Sequence, residues 1–207
     1  EFWSMDLEVN RNVLIPRPET ECLVEKALES LAADPNPGCK TILDLGTGSG
    51  AIALAVASER PGWRVSAVDS CPEALGVARA NAARLQLEQV EFLRSDWYGA
   101  LGGRRFDLLL ANPPYIDGTD PHLQRGDLRF EPHSALVAGD AGFADLASLI
   151  AGAHAHLSSG GWLLLEHGFE QGPQVRDMLG GAGFSAIATR PDLAGLERVS
   201  GGCLRAD

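Results

Sequence analysis

The sequence predicts a doubly wound α/β domain with a mainly parallel sheet and an antiparallel closing strand. Three observations carry this. Short apolar runs alternate with helical periodicity over most of the 207 residues. A glycine-rich stretch, Gly46-Thr47-Gly48-Ser49-Gly50, joins one such run to one such helix. The residues richest in chemistry, in this loop, at Asp69 and at Asn112-Pro113-Pro114-Tyr115, each fall where a strand should end, the side on which such sheets bind ligands.

Leu7–Val9 and Val13–Ile15 flank Asn10-Arg11-Asn12, residues that tolerate turn angles, and read as a short β-hairpin. Pro18 suits a first helical turn, and Leu23, Val24, Ala27, Leu28 and Leu31 repeat at helical spacing until Asp34-Pro35-Asn36-Pro37-Gly38 breaks the pattern. Residues 1–33 are therefore expected to form a hairpin and helix packed on a catalytic domain of residues 34–207. Within the latter, Thr41–Leu45 reads as a buried strand, Gly50–Arg60 as a helix, Trp63–Val68 as a strand and Pro72–Gln86 as a helix. Val90–Arg94 and Phe106–Ala111 continue the strands, and Asp117–Ala135 reads as a long polar loop. A helix over Gly142–Leu157, a strand over Gly161–Glu166, a helix over Gln174–Gly180 and strands over Phe184–Ala188 and Glu197–Cys203 close the domain.

With 45% apolar residues the chain can bury one substantial core. A formal net charge of −11 opposes sequence-independent capture of a phosphate backbone, so direct nucleic-acid binding is disfavoured. Cys22, Cys39, Cys71 and Cys203 are scattered without metal or disulfide spacing, which suits a reducing, cytoplasmic compartment. No apolar stretch reaches the roughly 18 residues of a membrane span, and Glu1-Phe2-Trp3-Ser4 does not open a secretory signal. No metal is expected. His154 and His156, two apart on a helix, point to different faces.

The glycines of the loop allow a tight strand-to-helix turn and close approach of a ligand, and Asp69 ends the next strand, where a carboxylate can take both hydroxyls of a ribose. Gly46, Gly48 and Ala51 also fit the looser dinucleotide fingerprint, so the glycines alone do not choose between NAD and S-adenosylmethionine. Asp44, two residues before the first glycine, favours the latter. A carboxylate there suits a cationic amino group and repels a pyrophosphate. Asp96 and Trp97 follow the next strand, where a base edge can meet a carboxylate and a ring.

Asn112-Pro113-Pro114-Tyr115 offers acceptors and few donors, since neither proline has a backbone N–H. The Asn112 side-chain oxygen and the Pro113 carbonyl can each take one N–H of a planar nitrogen and aim it at a methyl group, with the Tyr115 ring packed on the acceptor's plane. That is the chemistry of methylating an amide or exocyclic amine without a covalent intermediate.

Leu14-Ile15-Pro16-Arg17-Pro18-Glu19-Thr20-Glu21, Asp44-Leu45-Gly46-Thr47-Gly48-Ser49-Gly50, Asn112-Pro113-Pro114-Tyr115-Ile116, Arg129-Phe130-Glu131-Pro132 and Leu164-Leu165-Glu166-His167-Gly168 together resemble the HemK/PrmC family of release factor glutamine N5-methyltransferases. The resemblance implies a class I, Rossmann-like fold and methyl transfer from S-adenosylmethionine to the glutamine of the Gly-Gly-Gln motif of class 1 peptide chain release factors, leaving S-adenosylhomocysteine. It implies that Gly46, Thr47, Gly48, Ser49, Gly50, Asp69, Asp96, Trp97 and Asn112 bind the cofactor and that Asn112, Pro113, Pro114 and Tyr115 hold the target glutamine. The family carries a small helical domain ahead of its catalytic half, and nothing here corresponds to it. The loop from Asp117 to Glu131 is expected to shape the substrate path.

Overall fold

The computed structural model describes residues 1–32, 38–124 and 131–205. The Asp34–Pro37 breaker and the boundary drawn at residue 33 lie outside them, as do Arg129 and Phe130.

Helix α1 (Glu21–Ala32) follows a 3-10 turn at Pro18–Thr20. Strand β1 (Thr41–Leu45) leads through the glycine loop into α2 (Ala51–Glu59); β2 (Arg64–Asp69), α3 (Pro72–Arg84), β3 (Glu91–Arg94) and β4 (Phe106–Ala111) follow. The stretch expected as a long polar loop, Asp117–Ala135, is flanked by a two-residue strand β5 (Ile116–Asp117) that pairs in parallel with β6 (Val137–Ala138), and holds a 3-10 turn at Pro121–Gln124. A single turn, α4 (Gly139–Gly142), leads into α5 (Ala144–His156), β7 (Leu157–Glu166), α6 (Gly172–Gly181), β8 (Ser185–Pro191) and β9 (Glu197–Cys203).

The main sheet has the order β3-β2-β1-β4-β7-β9-β8. Pairing is parallel from β3 across to β7, and β9 enters antiparallel between β7 and β8. The chain moves outward from β1 to β3 and then returns to place β4 on the other side of β1. The order therefore switches between β1 and β4, where the carboxyl ends of two neighbouring strands diverge and leave a crevice.

Alternation along the strands sorts the core into two layers. Ile42, Leu108, Leu110 and Leu164 face α1 and α2, while Leu43, Leu45, Leu109, Leu163 and Leu165 face α5 and α6. Every residue of α2 from Ala51 to Ala57 is buried, so this helix is apolar all round and enclosed on every side.

The expected hairpin over residues 7–15 does not form. The only pairing before β1 among the described residues is an isolated bridge between Phe2 and Met5. The backbone of Glu8 is instead satisfied by the Asn81 amide of α3, whose Oδ1 accepts the Glu8 N–H at 2.7 Å and whose Nδ2 donates to the Glu8 carbonyl at 3.0 Å. Asn10 does make a turn, its Oδ1 accepting the Asn12 N–H at 2.9 Å, but Val13 then drops onto Ala74 and Val77 of α3 instead of folding back. The segment runs as a strap across the mouth of the crevice.

Candidate active site

The crevice at the β1/β4 switch is a cavity of about 470 Å³. Its floor is the glycine loop. Gly46 (φ +75°) and Gly48 (φ +56°) hold left-handed angles that favour glycine. A Cβ on Gly46 would lie 3.1 Å from the Trp97 ring, so the indole packs directly on that backbone, whereas a Cβ on Gly48 would meet only open space. Gly50 (φ +87°) faces away from the cavity and lets α2 and α3 approach, since a Cβ there would come within 3.2 Å of Ala78.

Four of the loop's N–H groups, those of Gly46, Thr47, Gly48 and Gly50, are already engaged. Those of Gly46 and Thr47 donate to the Val68 carbonyl, both at 2.9 Å, and that of Gly48 donates to Asp69 Oδ2 at 2.9 Å. A pyrophosphate would need these donors, and it would meet carboxylates instead: Asp69, Asp96 and Asp145 all line the cavity. Beneath the loop, Asp44 is fully buried and accepts the Thr47 hydroxyl at 2.6 Å on Oδ2, while its Oδ1 has no hydrogen-bond partner among the described residues. Burial lifts this carboxyl to about 7, with the Thr47 hydroxyl pulling the other way. Asp44 is a floor residue beneath the cavity lining. A cavity walled by Asp69, Asp96 and Asp145 suits a cationic ligand, so the residues present fit S-adenosylmethionine, a sulfonium with an ammonium group, and oppose NAD.

The turn after β3 is set by Ser95, whose hydroxyl donates to the Trp97 carbonyl at 2.7 Å and accepts the Ala100 N–H at 2.9 Å. Trp97 takes a left-handed φ of +41° in this turn. The Trp97 indole is a donor to Asp145, whose carboxyl burial otherwise raises.

At the end of β4, Asn112 lines the cavity and its Nδ2 donates to the Thr20 hydroxyl at 3.2 Å, which leaves Oδ1 as the acceptor. Pro114 lines the cavity too, but Pro113 is buried and the Tyr115 ring lies away from it. Tyr115 packs against the core layer under α5 and α6, its hydroxyl reaches Glu166 Oε1 at 3.3 Å, and burial pushes its phenol above the usual range. The ring therefore does not face an acceptor in this structure.

Of the residues expected at the site, Gly46, Thr47, Gly48, Ser49, Asp69, Asp96, Trp97, Asn112 and Pro114 come together on one cavity, and Gly50, Pro113 and Tyr115 support it from behind. The sequence reading missed the strap residues Val13, Leu14 and Pro16, the 3-10 residue Thr20, and Asp145 at the start of α5, all of which line it. Asn81 was missed as well. It is fully buried and its Nδ2 donates to the Ser49 carbonyl at 2.9 Å, tying the loop to α3. Arg17 forms an ion pair with Glu131, joining the strap to the stretch that brings Pro132 and Ala135 to the cavity. His154 and His156 are packing residues: His156 stacks on Tyr98 at 4.8 Å, and His154 meets Phe184 edge-on. Among the described residues no cluster of three or more His, Cys, Asp or Glu side chains is placed to hold a metal.

Sheet order, glycine loop and acidic crevice define a class I S-adenosylmethionine-dependent methyltransferase. The Methyltransferase small domain family matches residues 23–127. The chain is 57% identical over 199 residues to the release factor glutamine methyltransferase of Pseudomonas aeruginosa, covering 96% of this chain and 71% of that protein. It is 52% identical over 200 residues to the enzyme of that name from Escherichia coli K12, covering 97% and 71%. This chain belongs to the release factor glutamine methyltransferase family. A methyltransferase structure from Pyrococcus furiosus superposes with a TM-score of 0.70 at 20% identity, covering 98% of this chain and 90% of that one, and bears on the fold alone.

Proposed function

We infer that this chain transfers a methyl group from S-adenosylmethionine to a glutamine side-chain nitrogen of class 1 peptide chain release factors, at the Gly-Gly-Gln motif. The observation that carries the acceptor side is the fixed Asn112 amide: Thr20 holds its nitrogen, so its oxygen stands as an acceptor on the wall of the cofactor cavity.

An amide nitrogen is a poor nucleophile because its lone pair is delocalised into the carbonyl. S-adenosylmethionine supplies, when bound, an electrophilic methyl on a sulfonium. Gly48, Asp69, Asp96 and Trp97 hold the cofactor, with Thr47, Ser49 and Gly46 shaping the floor and Gly50 setting its height. Asn112 Oδ1 accepts one N–H of the glutamine amide, and the Pro113 carbonyl, set behind the lining here, takes the second once the substrate opens the way to it, so the remaining valence is directed along the line of transfer. Pro114 walls the approach, and Tyr115 anchors the far end of the segment through its hydroxyl. As the N–C bond formed, the sulfur–methyl bond would break to leave a neutral thioether, and the nitrogen, made acidic, would pass its proton to solvent.

The segment before α1 acts as part of the catalytic unit, since the strap and Thr20 form one wall of the cavity. The acidic chain leaves nucleic acid an unfavourable partner, and a substrate of the translation machinery puts the work in the cytoplasm. Mass spectrometry of a release factor incubated with this chain and S-adenosylmethionine tests the reading. One methyl on the Gly-Gly-Gln glutamine is expected; methylation of adenine in nucleic acid with that glutamine untouched would overturn it.

A further inference from the structure

Gln171 stands at the start of α6, yet its side chain makes no cap bond to that helix and its backbone already holds helical angles, φ −86° and ψ −12°. The side chain reaches instead across 56 residues to the acceptor segment, where its Nε2 donates to the Tyr115 carbonyl at 3.2 Å. The same nitrogen faces the Gly142 carbonyl at 3.4 Å, and Oε1 accepts the Gly168 N–H at 2.8 Å. An amide set between one donor and two acceptors has a single satisfied orientation, since the flipped group would put oxygen against both carbonyls and nitrogen against an N–H. Gly142 lies so close that a Cβ on it would clash with the Tyr115 carbonyl oxygen.

We propose that Gln171 is a positioning residue for methyl transfer, pinning the Tyr115 carbonyl and through it the direction in which Asn112 and the Pro113 carbonyl face the target nitrogen. The proposal rests on the reading that Asn112 and Pro113 receive the glutamine amide. The segment cannot pin itself. Pro113 and Pro114 have no N–H to give, so the backbone bonds that would hold a chain leaving a strand are missing at those two positions. What the prolines supply is stiffness: each ring fixes φ at about −65°, and a rotation at one end of Asn112–Tyr115 is carried to the other.

Both ends are held. Asn112 Nδ2 donates to the Thr20 hydroxyl at the first, and at the second the Tyr115 hydroxyl reaches Glu166 while the Tyr115 carbonyl receives Gln171. The two bonds on Tyr115 act differently. The hydroxyl bond sits at the tip of a rotatable side chain and sets the ring, whereas the carbonyl bond acts on the backbone that carries Pro113. Gln171 also ties this segment to the corner before α5, whose first turn brings Asp145 to the cofactor cavity. One amide therefore spaces the wall formed by Asn112 and Pro114 from the wall that carries Asp145. Transfer between bound groups falls steeply when either is misplaced, so loosening this spacing should cost rate before it costs binding.

The test separates transfer from binding. The chain has two tyrosines, so labelling with 13C-carbonyl tyrosine gives two resonances, and the one lost in Tyr115→Phe belongs to Tyr115. Gln171→Met keeps the length of the side chain and loses the amide; Gln171→Glu keeps an acceptor for Gly168 but sets oxygen against the two carbonyls. In both variants the Tyr115 carbonyl resonance should move upfield. The kcat for methylation of a release factor should fall on the order of 10- to 100-fold, while its KM and the Kd for S-adenosylmethionine change by less than about twofold. A Gln171 that only packed, or only held the Gly168 turn, would leave the carbonyl resonance in place and kcat intact in Gln171→Glu, and that result overturns the proposal. So does a fall in kcat matched by an equal loss of cofactor affinity. If the resonance moves in both variants but the wild type methylates no release factor, the substrate reading fails and the anchor stands. A methylating wild type whose kcat neither variant changes keeps the substrate reading and sinks the proposal.

Discussion

Two buried carboxyls, Asp44 and Glu166, are held neutral-leaning by burial, each at about 7 against ordinary values of 3.8 and 4.5. Between those ordinary values and about 7 the folded chain binds more protons than the unfolded one, so stability falls as pH rises through that window and levels off above it. At ~1.4 kcal/mol for each tenfold change, each group costs on the order of 3 to 5 kcal/mol at alkaline pH. Asp44→Asn should therefore narrow the difference between urea midpoints measured at acid and alkaline pH, and an unchanged difference would show that Asp44 does not carry it. Asn112→Ala should lower turnover about 100-fold or more while calorimetry finds most cofactor affinity retained; equal loss of both would argue against its role as the substrate's acceptor. At this scale the sequence was informative wherever a residue's chemistry depends on its own type, as for the donor-poor Asn112–Tyr115 segment. It was silent on orientation. Nothing in the pattern says that the Tyr115 hydroxyl turns inward to Glu166, because that choice depends on a strand 51 residues away.

The glycines of one loop serve different ends, and the elements they join tell them apart. Gly50→Ala forces a Cβ between α2 and α3 at a left-handed angle, and about 2 to 4 kcal/mol of destabilisation is expected in thermal or urea unfolding. Gly48→Ala carries only the conformational part, ~1 kcal/mol, but places a methyl where the cofactor must lie, so calorimetry should show the larger loss in cofactor affinity. If Gly50→Ala left stability intact and Gly48→Ala left binding intact, the division would be wrong. Strands β1, β4 and β7 were legible because both faces are buried and each carries an apolar run, interrupted only by Asp44 in β1 and preceded by Asp107 in β4. The hairpin was misread for the opposite reason: Leu7–Val9 and Val13–Ile15 alternate well enough to pair, and what prevents them is a competitor distant in sequence, the Asn81 amide. The loop after β4 was legible as a loop but not as the carrier of the small β5/β6 sheet, since two-residue strands leave no periodicity to read.

For the whole molecule, the switch in strand order at β1/β4 gathers the glycine loop, Asp69, Asp96 with Trp97, and Asn112 with Pro114 onto one cavity, and sequence spacing alone implied this convergence once the alternation of strand and helix was recognised. What spacing did not imply was the strap, because a segment that lies across other elements has no pattern of its own. Binding to the folded state alone predicts that S-adenosylmethionine at about 100 times its Kd raises unfolding free energy by ~2.7 kcal/mol, while NAD at equal concentration leaves the melting temperature unmoved. A comparable shift with NAD would contradict the reading of the acidic crevice. Asn81 has one more consequence. With one side chain it grips the strap at Glu8 and the glycine loop at Ser49, so the two segments share one anchor. In hydrogen exchange the Glu8 amide, far from any sheet, should share its protection with the floor of the cofactor cavity, and Asn81→Ala should release the two together.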